Sequence, residues 1–230
     1  MKAAQAAPLL PQFLLRHWRH FEVQIGDAVA RFAASLPEGA RLLDAGAGEA
    51  QYRRFFSRQR YTGVDLGIGD TAWDYSTLDA QADLAALPFA AAAFHAAINI
   101  VTLEHVRYPA RVIAELFRVL EPGGALFLVA PFEWEEHQQP HDYYRFTRYA
   151  LRDLLTTAGF AVTSIQPVGG IFRLLSRRIL AAAEFLPFPL DWIYLLLMGV
   201  PALVLPLLDG MDHRQNFTLG YICIARKPLS

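Results

Sequence analysis

An acidic residue followed by two glycines spaced by one, Asp44-Ala45-Gly46-Ala47-Gly48, stands directly after the apolar run Arg41-Leu42-Leu43. That order puts a carboxylate at a strand tip and a bare backbone loop after it, beside the start of a helix. Glycine lets the backbone approach a ligand closely and adopt positive φ. In open α/β sheets, ligands bind outside the carboxyl ends of the strands. The feature points to a strand-loop-helix fold and makes a cofactor-dependent enzyme the first hypothesis.

The rest of the chain supplies the matching elements. Residues 12–35 read as a helix, with Phe13, Leu14, Phe21, Ile25, Val29 and Phe32 at helical spacing and Pro37-Glu38-Gly39 as the stop. Strands are expected at 41–43, at 61–66 ending near Asp65, near Asp83, at 96–101, 125–130, 160–167 and 218–225. Helices are expected at 50–58, at 109–120 with Pro109 in its first turn, and at 148–158 with Thr147 as N-cap. A polar loop with Gly67, Gly69 and Asp70 follows the second strand, and Glu121-Pro122-Gly123-Gly124 turns the chain into the fifth. Strands alternating with helices imply a mainly parallel sheet covered on both faces.

Composition narrows the class. The 230 residues suit one α/β domain with an elaboration. The formal net charge is −1 and Lys and Arg are scattered, so no nucleic-acid partner is expected. The single cysteine, Cys223, excludes an internal disulfide and fits a reducing, cytoplasmic compartment. The N-terminal apolar patch is broken by Pro11, Arg16 and Arg19 and reads as a poor signal peptide.

The glycine loop admits two ligands. A dinucleotide fingerprint needs a third glycine three residues after the second, where Gln51 stands. A carboxylate at Asp44 instead suits a ligand carrying an ammonium group. Asp65, about 20 residues on, can accept from ribose hydroxyls, and Asp83-Leu84 could flank a purine. Each acid alone is also a common turn or cap residue.

Together, Leu42–Gly48, Gly63-Val64-Asp65, Asp83-Leu84-Ala85-Ala86-Leu87-Pro88-Phe89, Leu103-Glu104-His105-Val106 and Glu115-Leu116-Phe117-Arg118-Val119-Leu120-Glu121-Pro122-Gly123-Gly124 resemble the class I S-adenosylmethionine-dependent methyltransferases. The resemblance covers about 40–168 and resumes at 218–225. It implies a Rossmann-like doubly wound seven-stranded sheet with an antiparallel last strand. The expected parts are an N-terminal helical lid (1–38, with Phe13 and Trp18 as cover), a core (39–168), a helical insertion (169–217) and a last strand with tail (218–230), in one domain. It also implies that Asp44, Gly46 and Gly48 hold the methionine part of the cofactor, Asp65 the ribose, and Asp83 and Leu84 the adenine, with Leu66 also among the cofactor contacts. Asn99, Thr102 and His105 would lie along it. Two departures stand out: the family's third glycine is Ala50, expected as a tolerant helix start, and Phe94-His95 replaces a common Phe-Asp, expected in a surface turn.

The loop 131–147 is long, aromatic and rich in titratable groups, and loops of that length are usually functional. His141 is the candidate base, oriented by Asp142. Trp134, His137, Tyr144 and Arg145 are the expected acceptor contacts. The competing reading is a structural network that ties the loop down. His137 and His141 stand four apart, but Pro140 breaks the helix that would align them, so no metal is expected.

Residues 169–217 exceed the short hairpin a compact domain needs. A basic amphipathic segment with Arg173, Arg177 and Arg178 precedes an uncharged run over 192–208. That run would reach only about 25 Å as a helix, against a bilayer core of roughly 30 Å. Pro201 and Pro206 are expected to interrupt it. A membrane interface, an apolar acceptor pocket, a dimer interface and an internally packed subdomain all remain open. The expected function is methyl transfer to a small, apolar, lipidic or membrane-presented acceptor, slightly favouring oxygen, with a glycan hydroxyl also open. The second reading is a non-catalytic cofactor-binding or membrane scaffold.

Overall fold

The computed structural model describes residues 19–69 and 72–229. The expectations for 12–18, Phe13 and Trp18 among them, and for Asp70 lie outside the described residues. The chain divides into two compact units. Of the described residues, one comprises 25–69, 72–166 and 220–229, and the other takes 167–219 together with 19–24.

The larger unit carries the sheet. Its strands are β1 (Arg41–Ala45), β2 (Arg60–Asp65), β3 (Ala80–Gln81), β4 (Phe94–Ile100), β5 (Leu120–Pro131), β6 (Ala161–Val168) and β7 (Gly220–Arg226), in the order β3-β2-β1-β4-β5-β7-β6. β1 pairs in parallel with both β2 and β4, and β5 pairs antiparallel with β7. The direction of winding reverses between β1 and β4, and a crevice at that switch point is where such sheets take ligands. The Asp44 loop therefore opens at the centre of the sheet.

Helices cover it by the expected pattern. In α2 (Pro109–Val119) the buried set is Val112, Ile113, Leu116 and Val119, one stripe of a helix. Leu116 is fully buried, so Leu116→Ala would cost about 2–5 kcal/mol. α3 (Arg148–Thr157) buries Leu151 and Leu155, and the Thr147 side chain accepts the Ala150 N–H as an N-cap. α1 (His20–Ser35) buries Phe21, Ile25, Val29 and Phe32, and the Phe32 ring meets Phe127 at 5.3 Å.

Three local expectations fail for physical reasons. No α-helix forms over 50–58; turns and a short 3₁₀ helix, Arg53–Phe55, replace it. Gly48 and Ala50 both take left-handed φ (53° and 55°), which an α-helix start cannot use, and Phe56 must be buried before β2 begins. Ala50 is thus a strained left-handed residue, not a helix start. Glu121–Gly124 lies inside a longer β5, where a register irregularity against β4 absorbs it. Phe94 and His95 open β4 instead of a surface turn: Phe94 is buried edge-on to Phe89, and His95 Nδ1 accepts the Arg41 N–H.

The smaller unit is a helical hairpin of α4 (Ile171–Ala182) and α5 (Leu190–Val204), the latter continued by a 3₁₀ segment, Leu205–Met211. Pro201 sits inside α5 without ending it. Pro206 has no N–H for the Ala202 carbonyl one turn back, and the buried Ser176 hydroxyl donates to that carbonyl instead. Asp209 accepts from the N–H groups of Gly170 and Arg173, and Asp212 from that of Ile171, so the far end of the hairpin caps the first turn of α4. The Tyr194 hydroxyl donates to Ile179 O at the other end. Fifteen α and seven 3₁₀ residues reach roughly 36 Å. Length alone therefore no longer bars a crossing.

Candidate functional site

Asp44 is 1% exposed and sits opposite Gly63 on β2. A side chain at Gly63 would press on the Tyr61 ring at 3.0 Å, and through that gap the Tyr61 hydroxyl reaches and donates to Asp44 Oδ2. Burial lifts the Asp44 carboxyl to about 7, while the Tyr61 bond opposes the rise. Burial and the facing Asp44 also push the Tyr61 phenol well up.

Gly46 (φ 89°) must be glycine, because a Cβ there would lie 2.2 Å from Thr102 Cγ2. Thr102 Oγ1 is 3.2 Å from Gly46 O and 3.1 Å from Ile100 O, close enough to clamp the β1 and β4 tips together. Just before it, Val101 takes φ 52°, a strained conformation for a β-branched residue that costs about 1–3 kcal/mol. Its N–H is held by Val129 O. Asn99 is fully buried: Nδ2 donates to Ala45 O, and Oδ1 has no partner among the described residues.

Asp65 Oδ2 accepts the Gly48 N–H and Oδ1 the Gly67 N–H, which staples the glycine loop to the tip of β2. A carboxylate has about four acceptor positions, so two stay available to ribose hydroxyls. Leu66 beside it is 39% exposed. Asp83 Oδ1 accepts the Ala85 N–H, the turn role weighed in the sequence. Leu84 packs into the hydrophobic core. The glycine cradle, the orphaned Asn99 oxygen and the spare capacity of Asp65 fit a small polar ligand with a nucleoside and an aminoacyl end. The sequence reading missed Trp73, whose ring would meet a Cβ on Gly48 or Gly69 at 3.1 Å. A lone Trp in a polar loop was the available signal.

The aromatic loop is organised by Arg145. Nε donates to Trp134 O, NH1 to Asp142 Oδ1 and Tyr144 O, and NH2 to Glu135 O and Asp142 Oδ2. All five guanidinium N–H groups are thereby used, and none is left for an acceptor. Arg145 holds the Asp142 carboxyl down at about 2. Asp142 also accepts the His137 N–H, so it does not orient His141 as expected. His141 Nδ1 faces the Tyr143 hydroxyl at 3.1 Å. The Tyr144 hydroxyl donates to Arg107 O. The structural reading of Asp142 and Arg145 is the one the geometry supports.

His105 Nδ1 is 2.6 Å from His141 O, which brings the loop onto the end of β4. Beside it Glu104 is fully buried with both oxygens unpartnered among the described residues, and burial lifts its carboxyl to about 8. Burial pushes His105 down.

A model of the methyltransferase domain family matches residues 15–165. The chain is 32% identical over 116 residues to a tRNA (carboxymethyluridine(34)-5-O)-methyltransferase of Arabidopsis thaliana, covering 48% of this chain and 28% of that protein. It is 31% identical over 142 residues to a ubiquinone biosynthesis O-methyltransferase of Nitrosococcus oceani, covering 49% of this chain and 59% of that one. The chain thus spans less than two thirds of the length of these curated relatives. Among solved structures, the [4+2]-cyclase SpnF has a TM-score of 0.57 at 24% identity, over 90% of this chain and 82% of that one. A phosphoethanolamine N-methyltransferase 2 of Haemonchus contortus has a TM-score of 0.56 at 17% identity, over 89% and 53%. These two likenesses show the fold.

Proposed function

The chain belongs to the methyltransferase domain family and uses S-adenosylmethionine, and we propose that it methylates an oxygen of a small apolar or lipidic acceptor presented at a membrane surface. The observation that carries the acceptor class is the face of the helical hairpin. Leu190–Met211 is only 11% buried over its most apolar window. Trp192, Leu196, Leu197, Val200 and Leu207 are all more than 65% exposed, and the tip adds Phe185 (87%) and Phe188 (76%). An exposed apolar face of this kind, with Trp and Phe at one end, suits the boundary between headgroups and acyl chains. Arg178 on α4 is exposed and suits anionic headgroups, and Arg173 pairs with Asp209 at 3.0 Å. The O-methyltransferases among the relatives support oxygen as the target.

In this reading Asp44 meets the ammonium of the cofactor's aminoacyl end, with Gly46 and Gly48 giving the close approach. Asp65 accepts from the ribose, Leu66 and Asp83 flank the base, and Asn99, Thr102 and His105 line the rest. The sulfonium supplies an electrophilic methyl group. The chain must hold the acceptor oxygen in line with it, exclude water and remove the hydroxyl proton. His141 takes that proton at Nε2, which requires Nδ1–H to donate to the Tyr143 hydroxyl.

A labelled-methyl transfer assay on lipid, glycan-containing aqueous and tRNA fractions tests the acceptor. Label should enter the lipid fraction; label confined to tRNA or to the aqueous fraction would reject the lipidic reading. Trp192→Glu with Leu196→Glu should release the protein from anionic liposomes while cofactor affinity stays unchanged. Wild type that never sediments with liposomes would sink the interfacial reading. Asp65→Ala should abolish cofactor binding, and unchanged affinity would overturn the ribose assignment.

A further inference from the structure

Glu104, His105 and His137 converge on one point from two parts of the chain. Glu104 and His105 lie on the 3₁₀ turn Leu103–His105 that follows β4, and His137 comes from the aromatic loop. Their donor atoms all lie within 4.8 Å of one another. His105 Nε2 is 3.7 Å, and His137 Nε2 4.0 Å, from Glu104 Oε1. The rings stand edge to face, 82° apart, with centroids at 4.6 Å.

The protons on both rings are placed by their other nitrogens. His105 Nδ1 is 2.6 Å from His141 O, and a carbonyl oxygen only accepts, so Nδ1 carries the hydrogen. His137 Nδ1 is 3.1 Å from Glu135 O, which fixes the same tautomer. Each Nε2 therefore carries a lone pair, within 4.0 Å of Glu104 Oε1. A backbone carbonyl or carboxylate behind the distal nitrogen is the usual support of a metal-bound imidazole. Asp142 Oδ2, 3.5 Å from His137 Nδ1, adds a carboxylate behind that ring.

Hydrogen bonding does not satisfy the cluster. The gaps of 3.7 and 4.0 Å are too long for it. Both Glu104 oxygens and His105 Nε2 are buried and have no partner among the described residues. Buried polar groups left this way cost free energy unless something fills the space. An ion bound at about 2.0–2.2 Å from each donor would need the two imidazole–carboxylate gaps to shorten by roughly 0.3–0.6 Å, and the widest pair by no more than about 1.4 Å.

We infer that Glu104, His105 and His137 hold a divalent transition-metal ion, with at least one coordination position open. Two imidazoles and one carboxylate suit zinc and its first-row neighbours better than magnesium or calcium, which prefer all-oxygen sets. The pair is not the His137–His141 combination suggested by spacing; His141 contributes its carbonyl to the ring behind the ion. Bound metal would lock the aromatic loop onto the end of β4.

Untagged full-length protein, stripped with chelator and titrated with zinc chloride by calorimetry, tests this directly. One equivalent should bind, and cobalt(II) in its place should give visible d–d absorption. Glu104→Gln and His137→Ala should each weaken zinc binding by at least about 100-fold, while His213→Ala leaves it unchanged. Circular dichroism checks that each variant folds. No stoichiometric binding by the wild type, or binding that survives His137→Ala, overturns the site. Neither readout depends on methyl transfer, so the result is independent of the acceptor.

Discussion

The Tyr61 hydroxyl donates to Oδ2 of Asp44, the acid at the end of the strand that carries the glycine loop. Asp44 is raised from 3.8 to about 7 by burial. Between those values the unfolded chain is ionised while the native chain keeps the proton. Stability of the cofactor-free protein should therefore fall as pH rises from about 4 to about 7 and level off above, by an amount on the order of 4 kcal/mol at most. Urea unfolding across pH measures it, and Asp44→Asn should flatten the slope. Cofactor affinity should move the other way, rising as Asp44 ionises to face an ammonium group.

Gly46→Ala should destabilise by more than about 2 kcal/mol, because the new methyl meets Thr102 and the residue must hold a positive φ. Adding Thr102→Ala removes the two nearest atoms and should recover part of the loss. The left-handed strain should persist. Thermal melts of the two variants separate these contributions.

Arg145→Lys cannot reproduce the five-donor fork that binds Trp134, Glu135, Asp142 and Tyr144. Limited proteolysis should then cut within 133–147, and turnover should drop while cofactor affinity holds. An unchanged cleavage pattern would mean that the loop is ordered by other contacts. His141→Ala should slow turnover without exposing the loop to protease.

Ser176→Ala leaves the Ala202 carbonyl without the donor that Pro206 cannot provide, at a cost of about 1–3 kcal/mol. Pro206→Ala restores a backbone N–H at the right offset. The double variant should lose less than the sum of the two single losses, which a double-mutant cycle by urea denaturation would show.

Most strands and helices along the chain were legible because apolar strands alternate with periodic helices and turn residues separate them; the order of strands in the sheet was not read from the sequence. The glycine loop was legible because few residues other than glycine fit its conformation. Ala50 misled because propensity says nothing about a left-handed alanine forced by its neighbours. Arg145 and Asp142 were visible as residue types in the right loop, but their pairing depends on how the loop folds back, which spacing does not encode. Tyr61 was hidden for a related reason: it reaches Asp44 across two strands, through the space that Gly63 leaves. Glu104 stood in a recognised motif, yet nothing local shows that it would be buried without a hydrogen-bond partner among the described residues for either oxygen.

At the base of the hairpin, Thr218 and Leu219 both bond to Val168 O, and Asp209 and Asp212 close over the start of α4. The chain thus departs and comes back through a single gate. A guest segment with its two ends latched together asks little of its host, since closure entropy grows only slowly with the length enclosed. Its sequence can drift, lengthen or be exchanged for another module while the crevice stays as it is. If the hairpin presents the acceptor as proposed, acceptor choice and methyl chemistry can evolve on separate stretches of one polypeptide.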